Sequence, residues 1–322
     1  MTTDTTAPSY WLNWRFLLCA IWILSSMVFA AFLIWRYEGC KKSRNRGRES
    51  QKETAKSLYK NEVWGTCWKA IHPLWLLAYR IIAFGALLSL LLADAIIHSA
   101  GIFYFYTQWT FTLVTIYFGV GSSISIHGCV RYFRDVDGER DDNVGSDSEC
   151  GSYVAPSLGN EADWPSTTRR LNHHREPLVR RTADAWEYAF QILFQICAGA
   201  VTLTDCVFWL IIYPFLTGKD YRLHFLVVCM HSINAVFLLG ETFLNCLRFP
   251  FFRIAYFVLW TCIFVIFQWI IHACVSMWWP YSFLDLSSPY APIWYFGVGL
   301  LHLPCFAIFT LIFRIKQFCL SR

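Results

Sequence analysis

The feature that most constrains this chain is a recurrence of apolar blocks about 20 residues long, near 15–36, 74–98, 105–129, 187–213, 224–247, 253–277 and 292–314. At 1.5 Å per residue, about 20 helical residues cross the roughly 30 Å hydrocarbon layer of a bilayer. Lipid offers no partner for a backbone amide or carbonyl, so each block must be a helix or a strand of a closed barrel. Barrel strands alternate in polarity over about 10 residues, and these blocks are continuous. The expected fold is therefore all-α, a polytopic bundle of about seven transmembrane helices. Composition agrees: 15% of residues are charged, against roughly 25% in soluble domains. The 16 Trp and 28 Phe suit membrane interfaces, where a ring can be apolar at one end and wet at the other.

Basic residues predict the orientation. With the N-terminus outside, 23 of the 27 Lys and Arg lie in inside segments. The outside keeps only Arg15, Lys219 and Arg222, and Arg80 lies within a span. This positive-inside asymmetry also supports an odd number of helices. The chain then divides into a tail with its first helix (1–36), a basic cytosolic segment (37–73), a helix pair (74–129), a cytosolic loop whose composition predicts disorder (130–186), four helices (187–314) and a cytosolic tail (315–322). The first block is longer than a signal-peptide core and no basic region precedes it, so it reads as a retained anchor. The architecture suits the endoplasmic reticulum or the plasma membrane.

Several loop features have bland readings. The run from Lys41 to Lys69 fixes topology or attracts anionic headgroups, and no nucleic-acid recognition motif accompanies it. Asp135, Asp137, Glu139, Asp141 and Asp142 resemble a calcium loop. However, Arg140 stands where the required Gly belongs and no Glu closes the loop. Ser146 and Ser148 sit among acidic residues and are candidate phosphorylation sites. His173 and His174 lie in an Arg-rich solvated run and do not read as ligands. The 13 cysteines show no metal-ligand spacing. Cys40 and Cys319 near helix ends are candidates for palmitoylation. Nothing in the sequence asks for a metal or a cofactor.

The informative residues are the polar ones inside the apolar blocks, where ionisable groups are costly and face a bundle interior. At 100° per residue they form stripes. Arg80, Asp94 and His98 share a face of the second helix, and Thr107, Thr110, Gly121 and Ser125 a face of the third. Gln191, Gln195, Thr202 and Asp205 line the fourth, His231, Asn234, Glu241 and Asn245 the fifth, and Thr261, Gln268 and His272 the sixth. Depth sorts them into two layers. Arg80 and Glu241 lie near the inner ends of their helices and are predicted to pair. Asp94, His98, Thr107, Asp205, His231 and His272 fall in the outer half. Such a set can support a hydroxyl nucleophile activated by His, a metal site or a proton relay. One residue at a time, a Thr bonding its own backbone or a His bonding a neighbouring helix explains as much.

Tyr106-Thr107-Gln108-Trp109-Thr110-Phe111-Thr112, Cys229-Met230-His231-Ser232 with Leu238-Leu239-Gly240-Glu241, and Trp269-Ile270-Ile271-His272 with Trp278-Trp279-Pro280-Tyr281 together resemble the androgen-induced and androgen-dependent integral membrane hydrolase family. Rolling stone-like proteins and plant transmembrane proteins look related to the same pattern. The resemblance runs over roughly 75–315 as sparse motifs. Characterised members cleave the internal ester of fatty acid esters of hydroxy fatty acids. The resemblance thus implies Thr107 as nucleophile and His231 as its catalytic partner, with His272, Asp94 and His98 supporting, membrane lipids as surroundings and a hydrophobic lipid-like substrate. An extra first helix and a much longer third inside loop depart from the pattern. The competing expectations are a non-catalytic membrane adaptor working through its inside loops and, behind it, a small transporter, which would favour Gly/Pro-interrupted helices in matching halves.

Overall fold

The computed structural model describes residues 4–39, 60–68, 70–147, 183–218 and 223–321. It is helical, with no strand among the described residues, and seven helices or helix pairs are long and apolar enough to cross a membrane. We name the helices α1 (Trp14–Glu38), α2 (Pro73–His98), α3 (Tyr106–Asp147), α4 (Ala185–Val207), α5 (Phe225–Met230), α6 (Ile233–Leu244), α7 (Ile254–Cys274) and α8 (Ala291–Ser321). α5 and α6 share one span. Each span overlaps the apolar block that predicts it. Side chains such as Leu17, Ile21, Leu24 and Val28 on α1, or Ile293, Leu303 and Leu311 on α8, remain exposed. In a membrane they form the lipid-facing shell, which explains how a small core coexists with such an apolar composition.

Three departures from the expected helices matter. First, α3 continues to Asp147, so the segment from 130 begins as helix rather than as disordered loop. Once a helix is nucleated, each added residue fixes one bond for one residue, so extension past the membrane costs little. Ser146 lies in this extension, while Ser148, Cys40, Cys150, His173 and His174 fall outside the described residues. Second, α4 passes directly into a π-helix, Phe208–Leu216, that contains Pro214. A proline ring collides with the carbonyl four residues back in an α-helix, and widening the turn relieves this. Third, the fifth span breaks at His231 and Ser232. Two of the groups freed by this break find side-chain partners: the His231 carbonyl accepts from Trp209 Nε1 at 2.7 Å, and the Ala235 amide donates to Asn234 Oδ1 at 2.9 Å.

A buried charge cluster fastens one end of the bundle. Arg80 and Glu241 are both fully buried and pair at 2.5 Å through Nη2 and Oε1, as their depth predicts. Arg80 Nε donates to Glu241 at 3.1 Å, Nη1 to Ser125 Oγ at 2.6 Å and to the Gly121 carbonyl at 3.3 Å, and Nη2 also to the Val63 carbonyl at 3.1 Å. A guanidinium has five N–H groups, and these contacts use all of them. Glu241 also accepts from Tyr117 Oη at 2.9 Å and Asn245 Nδ2 at 3.4 Å. The cluster thereby joins α2, α3 and α6 to the short helix Lys60–Trp64.

The first helix is held at both ends. Asn13 caps it through the Phe16 amide at 2.9 Å. At that end Arg15 donates to the Ser287 carbonyl at 2.7 Å, and Tyr10 Oη donates to Asp285 at 2.8 Å. At the other end Glu38 accepts from Arg253 Nε at 2.8 Å and Tyr256 Oη at 2.5 Å. Arg253 in turn reaches Gln191 Oε1 at 2.7 Å, and Gln191 and Gln195 both donate to the Arg248 carbonyl. These contacts bind α1 to α7, to α4 and to the segment that leads into α8.

Candidate functional site

At the end opposite the charge cluster, the helices open around a cavity of about 810 Å³. Its wall includes Asp94, His98, Thr107, Gln108, His231 and Tyr281. A second, narrower and more apolar cavity of about 70 Å³ shares Thr107, Phe208, Ile212, His231 and Tyr281 with the first. Thr107 and His231 thus stand where the two spaces meet, although they come from different spans.

Local structure accounts for each position. Thr107 lies in the first turn of α3, where backbone amides lack intrahelical partners and the helix dipole favours negative charge. The phenolic oxygen of Tyr281 accepts one of those amides, that of Tyr106, at 3.1 Å. Burial pushes the Tyr281 phenol above its ordinary value, against the lowering effect of the hydrogen bonds it accepts from Thr107 and the Tyr106 amide, so the phenol stays neutral. His231 closes α5 at the helix break. Its ring lies flat on Phe208, with centroids 3.8 Å apart and planes 2° apart, and Phe208 is the first residue of the π-helix.

Asp205, about one turn before that π-helix, lies off the Nδ1 edge of the imidazole. Its Oδ1 is 3.7 Å from His231 Nδ1. Neither carboxylate oxygen has a hydrogen-bond partner, nor does His231 Nδ1, nor the neighbouring Asn234 Nδ2. Buried polar groups normally find partners, and Asp205 Oδ1 and His231 Nδ1 stand only a few tenths of an ångström beyond hydrogen-bond range. A small rotation of either side chain would make the Asp205–His231 hydrogen bond. That bond would fix the ring with Nε2 as the free basic nitrogen.

The remaining site residues divide. Asp94 Oδ1 lies 2.9 Å from His98 Nδ1, and Asp94 Oδ2 accepts from Gln108 Nε2 at 2.6 Å. This pair lies on the wall of the large cavity, with His98 exposed at its mouth. His272 lies elsewhere. It lines neither cavity, stacks on Trp279 at 3.6 Å and is fully buried. Its Nδ1 meets the Gln268 carbonyl and its Nε2 the Tyr104 hydroxyl, both at 2.7 Å. With both nitrogens engaged, His272 braces the end of α7 against the segment before α3, and the structure does not bring it to Thr107 and His231. Sequence reasoning placed Asp205 at the right depth without giving it a role, and it passed over Tyr281. The aromatic-Pro segment that carries Tyr281 was the signal available.

Among the described residues, no three His, Cys, Asp or Glu side chains converge as a metal site would require. The fold and its polar interior define an integral, multi-pass membrane protein with a cavity in one half of its helical bundle. No family model, curated protein or solved structure matches the chain.

Proposed function

We propose that this protein is a membrane lipid-ester hydrolase that works by acyl transfer, with Thr107 as nucleophile, His231 as base and Asp205 as the group that orients His231. Such a role is in keeping with the resemblance to the androgen-induced hydrolases and with fatty acid esters of hydroxy fatty acids as substrates. The observation that supports it best is the convergence of three groups from three spans. Thr107 and His231 border the same two cavities, and the otherwise unpartnered Asp205 carboxylate stands 3.7 Å from His231 Nδ1. A hydroxyl, an imidazole and an orienting carboxylate are the parts that nucleophilic acyl transfer needs.

In this mechanism Thr107 Oγ attacks the ester carbonyl and passes its proton to His231 Nε2. The tetrahedral oxyanion forms beside the start of α3, where the helix dipole and the Tyr281 hydroxyl favour it. Collapse breaks the ester C–O bond, and His231 returns the proton to the departing alkoxide. Water, deprotonated by His231, then attacks the Thr107 acyl ester; the C–Oγ bond breaks, His231 returns the proton to Thr107 Oγ and the acid is released. The narrow apolar cavity suits an acyl chain, and the wider cavity with Asp94 and His98 suits water and the polar product.

The test is turnover of a fluorogenic lipid ester by the purified protein in nanodiscs, together with labelling by a fluorophosphonate. Thr107→Ala should lose both signals. His231→Ala should lower kcat by roughly 10²–10⁴-fold, the usual contribution of a general base. Asp205→Asn should lower kcat with little change in KM, because it misorients the base without touching the substrate. Turnover that survives both Thr107→Ala and His231→Ala would refute the proposal.

A further inference from the structure

A third cavity, of about 230 Å³, lies between α1, α7 and α8. Two fastenings of α1 bracket it. Near the start of the helix the Trp22 indole packs on Phe296 of α8, with centroids 4.8 Å apart, and sits so close to Gly299 that a Cβ there would lie 2.7 Å from Trp22 Nε1. At the other end Glu38 is bound to Arg253 and Tyr256. Between these points Ser26, Phe29, Ala30 and Leu33 line the cavity together with Trp22, within an arc of about 100° on α1. Ser26 and Ala30 are small, so a helix held at both ends leaves space there instead of filling it. Phe29 and Leu303 line the cavity and are exposed, so in a membrane its mouth faces lipid.

This groove adjoins the narrow cavity beside Thr107. Thr261, Val265, Phe283, Leu284 and Val298 border both spaces. Two polar side chains of the groove wall, Thr261 and His302, spend their hydrogen bonds on protein. His302 Nδ1 meets the Val298 carbonyl at 3.0 Å, an atom that can only accept, so in the neutral ring Nδ1 carries the hydrogen and Nε2 accepts from Thr261 Oγ1 at 3.0 Å. Thr261 in turn accepts from Tyr106 Oη at 2.9 Å. A wall satisfied in this way leaves the space to hydrocarbon rather than to water.

Size says what the groove can take. The narrow cavity, at about 70 Å³, is under half of the roughly 150 Å³ that accommodates a benzene ring, so it holds only the first few carbons of an acyl chain attached at Thr107. The groove adds about 230 Å³. From Trp22 to Leu33 it follows α1 for about 16 Å at 1.5 Å per residue, about half of the roughly 30 Å hydrocarbon layer. That is the depth of one leaflet, hence the reach of one membrane acyl chain.

We propose that the groove between α1 and α8 is the acyl-chain site of this protein: it admits the substrate sideways from the bilayer, holds the distal part of its acyl chain and selects long-chain over short-chain esters. The proposal rests on the reading of Thr107 as nucleophile, and it gives the first helix, which departs from the pattern the rest of the chain resembles, a part in choosing the substrate.

The experiment uses the full-length protein in nanodiscs with umbelliferyl palmitate and umbelliferyl butyrate. Ala30→Trp fills the groove away from Thr107 and His231. It should lower the palmitate-to-butyrate ratio of kcat/KM by at least about tenfold, the lower end of what a misfitting apolar pocket costs. A ratio within about twofold of wild type, with both esters turned over, would overturn the groove and leave hydrolysis at Thr107 standing. Failure of wild-type protein to turn over either ester would instead overturn the hydrolase reading and the substrate assigned here. A second measurement needs neither turnover nor a variant. Palmitate carrying a diazirine at its methyl end should label the peptide Trp22–Leu33 saturably, and excess palmitate should compete it away. Labelling there that rises without saturation, as it should at the lipid-facing Leu17 and Ile21, would overturn the proposal, as would labelling displaced by cholesterol and not by palmitate.

Discussion

Glu241→Gln should be among the most destabilising conservative changes in this protein. The substitution keeps the shape of the side chain and removes its charge. It leaves the Arg80 guanidinium fully buried, with only three neutral oxygens, those of Gly121, Ser125 and Val63, and an amide where the carboxylate had been. Breaking one partner of a buried pair costs about 3–5 kcal/mol, a large share of a total stability of about 5–15 kcal/mol. Arg80→Met should cost a similar amount, because it strands the Glu241 carboxylate with only Tyr117 and Asn245 as donors. The double variant carries no buried charge, so the two losses should not add; coupling near the upper end of the usual range, up to about 3 kcal/mol, is expected for a pair this buried. Reversing both charges should fail to rescue, since the Val63 and Gly121 carbonyls around position 80 accept hydrogen bonds and would repel a carboxylate. The assay is reversible unfolding of the purified protein in mixed micelles by SDS titration, followed by tryptophan fluorescence. Additivity of the two single changes to within about 0.5 kcal/mol would refute the reading that they act as one unit.

Other expected outcomes follow from the same contacts. Gly240→Ala improves helix propensity by about 1 kcal/mol, but its Cβ would lie 2.1 Å from Tyr79 Oη. That hydroxyl is held by the Phe237 carbonyl at 2.8 Å, so overpacking of about 1–3 kcal/mol should win and lower the SDS midpoint. Ser99 has φ of 60° and ψ of −168°, a region open essentially to Gly at a cost of about 1–3 kcal/mol for other residues. Ser99→Gly should therefore raise the midpoint, by about 1 kcal/mol after the added entropy of the unfolded chain is subtracted. Glu38→Gln weakens the contacts to Arg253 and Tyr256, and should make α1 more accessible to proteolysis near Glu38 while sparing the Arg80 cluster.

How far the sequence carried the structure depended on which physical term decided each feature. The spans were legible because transfer into hydrocarbon is a large, local and additive quantity. The Arg80–Glu241 pair was legible because two opposite charges at equal depth have few other ways to be tolerated. His272 shows where this reasoning stops. Its depth and its inward face were both read correctly, yet which neighbour an inward side chain meets depends on the packing order of the helices, and Tyr104 and Trp279 occupy that place. Asp205 and His231 show a second limit. The break after His231 contains neither Pro nor Gly, so no local propensity announces it. The π-helix after Asp205 could be suspected only from Pro214, nine residues further on. Propensity reports the preference of one residue, whereas these irregularities belong to two spans that adjust to each other.

That mutual adjustment links the two ends of the bundle. α2 and α3 each contribute to both, Arg80 and Asp94 from one helix and Ser125 and Thr107 from the other, and the fifth span contributes Glu241 and His231. At the charge-cluster end these elements are regular and every donor of Arg80 is used. At the cavity end the same spans lose regularity at one level: the fifth breaks at His231, the fourth widens after Asp205, and the Asp205 carboxylate, His231 Nδ1 and Asn234 Nδ2 are buried without hydrogen-bond partners. A uniformly regular bundle would have no reason to leave a carboxylate and an imidazole unpaired at that level. Spans held at one end can keep an incompletely bonded arrangement at the other, because the regular end fixes where the irregular end must lie. Substitutions that loosen the Arg80 cluster without unfolding the protein should accordingly let Asp205 and His231 relax, and, if Thr107 is the nucleophile we propose, lower ester turnover before they lower the helix content.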